Sequence, residues 1–436
     1  MKFRNLIGLA ILTLSIGLLV SMFAQRNALA ATLTVGPPVG TCTGAYPTIS
    51  LAVAAASAGD TITVCPGTYP ELVSVNKTLT LLGAQSGVDA RLVTRTGLPA
   101  TESVVTGLAG TTSFYVTANN VTIDGFTVQG ATLPNTFGFG MVLGPGTSGA
   151  HVVNNIVQSN IAGLSLANAP GGNQAVIRYN VFRNNNQPGP ASGTGIYTDE
   201  FNAGGALTNV LIDNNNFIGN VTEGISFSSS TAGSQSNVTV SNSLFDGNGR
   251  AVFLFNIISS SFTGNTLRNA TEPATADIRI FGGVNGFTIQ CNTLSAGAGR
   301  AIRINDGVGG NPNSNIAITS NNISAYAGVG LEVNSGGYSG GPGSLNAERN
   351  YWGSPTGPND LQGRNPGGTG EEILDPGLVV DFIPFLTSVQ GLPCPTPMVG
   401  PPTNKDQCKN GGWMTFNTPR TFKNQGDCVS YTQNGK

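Results

Sequence analysis

Nine copies of one short phrase, a second alternating phrase that follows most of them, and a weakly charged body with recurrent Val, Ile, Leu and Phe together predict an all-β solenoid, a right-handed parallel β-helix. In the first phrase an apolar residue is followed three places later by Asn and five places later by another apolar residue. It reads Val152/Asn155/Val157, Ile177/Asn180/Phe182, Ile212/Asn215/Phe217, Phe262/Asn265/Leu267, Ile289/Asn292/Leu294, Ile318/Asn321/Ile323 and Ala347/Asn350/Trp352. Ile123/Phe126/Val128 and Val240/Ser243/Phe245 keep the apolar positions and replace the Asn. Spacings run from 22 to 35 residues. The second phrase is small, apolar, variable, apolar, as in Gly163–Leu166, Gly195–Thr198, Gly224–Phe227, Ala251–Leu254, Ala301–Ile304 and Gly330–Val333, with Asp277–Ile280 as a variant. Alternation of period two marks a strand with one buried face, so each copy is one coil of short strands stacked in parallel on its neighbours.

The elements follow in chain order. Residues 1–30 combine Lys2 and Arg4, an apolar stretch from Leu6 to Ala24, and Ala28-Leu29-Ala30, which reads as a secretory signal cleaved before Ala31. The apolar stretch nearly reaches bilayer length, and an uncleaved anchor is the competing reading. After cleavage no membrane span is expected. Thr48 to Gly59 supply an N-terminal helical cap: Thr48 starts it, Ile49, Ala52, Val53 and Ala56 share one face, and Gly59 ends it. Strands Thr61–Val64, Leu72–Val75 and Thr78–Leu82 begin the first coil. Pro355 to Gly370 close the repeats, the apolar Leu378–Leu386 follows, residues 389–402 form a Pro-rich linker, and residues 403–436 form a small cysteine-containing tail module. The solenoid thus spans residues 31–388. The repeated Asn has a structural explanation: at one bend of every coil its amide bonds backbone and the amide above, a ladder that also tolerates the left-handed conformation bends require.

Composition limits function. Charged residues make up 10% of the chain against about a quarter in ordinary globular proteins, net charge is −2, and Lys77 is the only lysine between Ala31 and Gly400. A nucleic-acid partner is not expected. Six cysteines in an exported chain point to disulfides. Cys42–Cys65 and Cys408–Cys428 are the local pairings, each closing a loop of about twenty residues and contributing roughly 3 kcal/mol in the chain-entropy model. Cys291 and Cys394 either join each other or are both free. The expected location is outside the cell or on its surface, as a monomer.

The stretch YPTISLAVAAASAGDTITVCPGTYPELVSVNKTLTLLG resembles the opening of bacterial parallel β-helix repeat proteins of the pectin-lyase-like superfamily, and NYWGSPTGP with VVDFIPFLTS resembles their closing coil. The resemblance covers roughly residues 32–388. It implies the fold and leaves activity open, because that superfamily contains lyases, hydrolases, esterases, epimerases and adhesins. NKDQCKNGGWMTFNTPRTFKNQGDCVSY is similar to a small cysteine-paired module at the C-terminus of assorted secreted bacterial proteins.

Aligning the second phrase across coils puts Ser165, Tyr197, Ser226, Phe253, Arg279, Arg303 and Glu332 in one outward column. Tyr197, Phe253, Arg279, Arg303 and Glu332 are the candidate ligand-binding residues: aromatic faces suit pyranose rings and guanidinium groups fork to carboxylates. Asp199, Glu200 and Asp306 lie just past the column and are weak candidates for a metal, with calcium the cofactor considered. The expected function is binding of polysaccharide or another cell-surface glycan without catalysis. Two alternatives stand beside it: a lyase acting on a uronate polymer, with Arg279 or Arg303 neutralising or abstracting, and a purely structural or adhesive role. Hydrolase and esterase signatures are missing: there is no Asp-Asp pair, no Gln-Asp-Thr, and the one histidine, His151, lacks a partner for zinc or triad chemistry. Trp352 and Trp413 read as packing residues.

Overall fold

The computed structural model describes residues 30–36, 42–133, 138–189, 192–305 and 311–391, with residues 401–402, 404–408, 422 and 425–434 of the C-terminal module. The signal sequence, Asp306, Cys394, Trp413 and most of the linker lie outside the described residues. Three parallel sheets of 13, 10 and 12 strands run the length of the body. Each coil contributes in turn to the first, second and third sheet: Ala175–Arg178, Val181–Arg183 and Thr194–Thr198 make one such coil. This is a right-handed parallel β-helix.

The first phrase occupies the corner between the first and second sheets. Val152, Ile177 and Ile212 stack in register in the first sheet, and Val157, Phe182 and Phe217 in the second. All six are buried in one continuous core. Phe182, Phe217 and Phe245 stack with centroids 5.2 and 4.7 Å apart. That stack explains the small residue opening the second phrase: a Cβ on Gly195 would sit 2.6 Å from the Gly224 carbonyl oxygen and 2.9 Å from the Phe217 ring.

The ladder runs from coil to coil. Asn155, Asn180, Asn215, Asn265, Asn292, Asn321 and Asn350 are buried, and Ser243 fills the gap. The Asn180 Oδ1 accepts from the Asn155 backbone N–H at 2.9 Å, and the same bond recurs from Asn180 to Asn215, Asn265 to Asn292, Asn292 to Asn321 and Asn321 to Asn350. One expectation is corrected. The left-handed residue of the bend is the one before the ladder position, namely Asn154, Tyr179, Asn214, Asn242, Cys291 and Ser320. An inward-pointing ladder amide needs its own backbone extended, so the reversal of direction falls on its predecessor. A second ladder, unforeseen, lies at the other edge of the second sheet: Asn160, Asn185, Asn220 and Asn248.

The helix α1 (Ile49–Ala55) packs against strands Thr32–Val35, Thr61–Val64 and Val73–Val75. The Thr48 hydroxyl accepts from the Leu51 N–H, as expected of an N-cap. The helix stops at Ala55, earlier than Gly59, and its carbonyls at Val53, Ala54 and Ala56 accept from the Lys77 ammonium. Strand Gly67–Pro70 carries no strand signature in the sequence, with Pro66 before it and Pro70 as its last residue. It is the edge strand of the second sheet, where the missing N–H of Pro70 costs no ladder bond.

At the C-terminal end, Pro355–Gly370 does more than close the repeats. Strands Pro358–Asp360 and Gly370–Leu374 extend the third sheet, and Arg364 clasps the buried carboxylates of Asp360 and Asp375 at 2.6 and 3.2 Å. Val380–Asp381 ends the first sheet. Cys42–Cys65 and Cys408–Cys428 are bonded, and Cys291 is also in a disulfide, which removes its free-thiol alternative. No helix among the described residues is long and apolar enough to cross a membrane.

Candidate functional site

The third sheet presents the outward column. Its register pairs Ser165 with Tyr197, Tyr197 with Ser226, Ser226 with Phe253, Phe253 with Arg279, Arg279 with Arg303 and Arg303 with Glu332. The inward neighbours, Leu164, Ile196, Ile225, Val252, Ile278, Ile302 and Leu331, are buried. The side chains of the column therefore stand side by side on one face, at about 4.8 Å per step.

Their surroundings differ along it. The Tyr197 hydroxyl donates to Asp199 at 3.0 Å, and burial together with that carboxylate pushes its pKa well up. Ser165 and Ser226 are buried, the first accepting from Asn202 Nδ2 at 2.9 Å. Phe253 packs on Phe281 with centroids 5.5 Å apart, and Phe281 on Phe255 at 5.2 Å. The Arg279 guanidinium lies over the Phe281 ring at 4.9 Å and over Phe253 at 5.7 Å.

Around Arg279 positive charge predominates. Arg250 stands 3.5 Å from Glu223, whose carboxyl is pushed up by burial. Glu332 is buried and pairs with both Arg300 and Arg303, the second at 3.2 Å. Glu332 thus compensates two cations and is not an open ligand group of the column. Four arginines face two carboxylates here, and Arg279 has no carboxylate within ion-pair distance among the described residues. Its Nε is buried without a hydrogen-bond partner. Burial and the neighbouring Arg250 and Arg303 pull its pKa below the ordinary guanidinium value.

Two of the three weak metal candidates, Asp199 and Glu200, are otherwise engaged, and Asp306 lies outside the described residues. Asp199 caps the short helix α2 (Glu200–Ala203), accepting from the Phe201 and Asn202 N–H groups, and Glu200 accepts from the Ser230 N–H and hydroxyl. Among the described residues no three metal-ligating side chains cluster. His151 faces outward on the first sheet, a whole sheet away from the column.

Sequence reasoning missed Glu223, Arg250 and Arg300, three places before the variable position of the phrase, and Phe255 and Phe281, two places after it. The second offset was readable, since an alternating strand that outlasts the four-residue phrase places its next outward residue two positions on; the first, an odd number of positions, was not, because alternation assigns it to the inward face. It also missed Phe139 and Phe201.

Residues 100–235 match the family model for the right handed beta helix region. No curated protein matches the chain in sequence. Among solved structures, it is similar to an alginate lyase from Paenibacillus sp. str. FPU-7, at 16% identity and a TM-score of 0.47, over 70% of this chain and 99% of that one. A mannuronic acid specific polysaccharide family 6 lyase from human gut microbiota is similar at 12% identity and a TM-score of 0.47, over 74% and 79% of the two chains. The A-module of the mannuronan C-5 epimerase AlgE6 from Azotobacter vinelandii is similar at 15% identity and a TM-score of 0.45, over 77% and 92%.

Proposed function

We propose that the outward face of the third sheet binds an acidic polysaccharide and holds it without chemistry, in an extracellular or cell-surface setting. The observation that carries this reading is Arg279: a half-buried cation flanked by two more, lying on an aromatic pair, with its Nε lacking a partner and no carboxylate paired to it among the described residues. Such a group gains most from an anion that brings its own carboxylate. The aromatic rings beside it supply an apolar face for a sugar ring. Disulfides at Cys42–Cys65 and Cys408–Cys428 suit an oxidising compartment outside the cytosol.

Two features favour binding over the lyase alternative. A phenol pushed up in pKa, as Tyr197 is, makes a poor proton acceptor, and Asp199 and Glu200 are committed to capping and loop contacts. The test is titration with polygalacturonate and with a neutral glucan. Polygalacturonate should bind, the glucan should not, and Arg279→Ala should weaken binding about tenfold to a hundredfold, the loss of one charge-assisted hydrogen-bonding group. Unsaturated uronate ends released from the polymer would instead establish the lyase. Failure of any acidic polymer to bind, or an unaffected Arg279→Ala variant, would overturn the reading.

A further inference from the structure

Five strand steps from Arg279, where the same column reaches Val142, a cavity of about 460 Å³ opens between Tyr115, Phe139, Val142, Pro145 and Phe201. Its character is opposite to that of the arginine end. Tyr115 continues the column in register with Val142, and the Phe139 and Tyr197 rings lie 6.1 Å apart. Phe201 is 78% exposed, an unusual position for a phenylalanine with no packing role.

Phe201 is nevertheless held in place. Asp199 accepts from its N–H at 2.9 Å and from that of Asn202 at 2.7 Å. Glu200 is fastened to Ser230, Asn202 to Ser165, and the Ala203 carbonyl accepts from the Gly146 N–H. An apolar ring kept exposed on a backbone with this many anchors loses little conformational freedom on binding. Asp199 lines the cavity, but its carboxylate already receives the Tyr197 hydroxyl and two backbone N–H groups. The cavity thus offers aromatic faces and hydroxyl-compatible polar atoms, no cation among the described residues, and one carboxylate whose oxygens already accept hydrogen bonds.

We infer that this cavity is a subsite for an uncharged pyranose ring of the same polymer chain whose carboxylate engages Arg279, so that the groove selects a polysaccharide carrying both neutral and acidic sugars. The inference rests on the groove reading above. The two ends are about 24 Å apart at ~4.8 Å per strand step, which requires a ligand several rings long. One end discriminates by charge and the other by its absence.

The test uses the full chain and three polygalacturonates: unesterified, fully methyl-esterified, and esterified in blocks, with methylation removing the ring's charge. The block polymer should bind more tightly than either extreme. Phe201→Ala should weaken the block polymer about tenfold and leave the unesterified polymer unchanged, while Arg279→Ala should weaken both. Phe201 is at the surface, and a thermal melt checks that its variant stays folded. If Arg279→Ala weakens binding and Phe201→Ala alters it for none of the polymers, the subsite is refuted and the groove stands. Equal losses in Phe201→Ala for the block and unesterified polymers would refute the preference for a neutral ring. If Arg279→Ala has no effect, or no acidic polymer binds, the groove itself falls.

Discussion

Replacing Asn265 with Ala tests whether the ladder holds the coils together. The Asn265 Oδ1 accepts from the Ser243 N–H at 2.9 Å, and its Nδ2 donates to the Val240 carbonyl and to Asn292 Oδ1, both at 3.1 Å. Truncation leaves Asn292 Oδ1 with the Asn265 backbone N–H at 2.9 Å. Ser243 N–H and the Val240 carbonyl lose these partners in a buried corner. Each stranded buried group costs about 1–3 kcal/mol, so the variant should lose about 2–6 kcal/mol. Equilibrium urea unfolding followed by circular dichroism, with disulfides intact, measures the change. Asn186→Ala, at an exposed position one residue past the second ladder, is the control and should shift stability by less than about 0.5 kcal/mol. If Asn265→Ala is as stable as the control, the amides do not hold the corner and the ladder argument fails.

Two further outcomes follow from buried charges. Asp277 takes the place of the small residue in the second phrase, accepting from the Tyr326 hydroxyl at 2.8 Å and the Ala251 N–H at 2.9 Å, and burial pushes its pKa up to about 6. Because the folded value lies above the unfolded one, ionisation opposes folding. Stability should fall as pH rises from about 4 to about 6 and stay level above, by on the order of 3 kcal/mol from this group; Asp277→Asn should remove that slope, and an unchanged slope would count against the assignment. The Arg95–Glu102 pair, at 3.0 Å with both side chains buried, fastens the excursion Gly83–Glu102 to the coils through the Asn154 carbonyl and the Thr127 hydroxyl, while Arg95 also donates to the Val88 carbonyl within the excursion. Arg95→Ala leaves Glu102 buried without its cation, with only the Thr127 hydroxyl and the Gly97 N–H donating to it, and should cost about 3–5 kcal/mol in thermal or urea unfolding, whereas a loss below about 1 kcal/mol would show the excursion to be loosely attached.

The coil was legible because its determinants are local and repeated. Val152, Ile177 and Ile212 recur at one offset from an Asn, and a parallel stack is the only arrangement that buries all of them and satisfies the backbone. The outward column was legible for the same reason, since alternation along one strand and register between strands fix which side chains are neighbours. Other features left no such signature. The second ladder recurs in only four consecutive coils, at Asn160, Asn185, Asn220 and Asn248, and Gly67–Pro70 is a strand only because it lies at a sheet edge.

By itself, then, the sequence determined the repeat, the coil of short parallel strands, the buried amide row and the order of residues along the exposed face, because each depends on spacing within one or two coils, whereas the third side of the coil came from the tertiary structure. Tertiary structure decided what those exposed residues can do. Glu332 is outward by alternation, yet it is buried between Arg300 and Arg303, and Arg279 is left over only because Glu223 and Glu332 are paired elsewhere. Phe201 lines the cavity because Asp199 caps a four-residue helix that Asn202 ties to Ser165 and Glu200 to Ser230, the last 30 positions away. Charge balance and exposure are sums over neighbours brought together by stacking, and no single stretch of chain contains them.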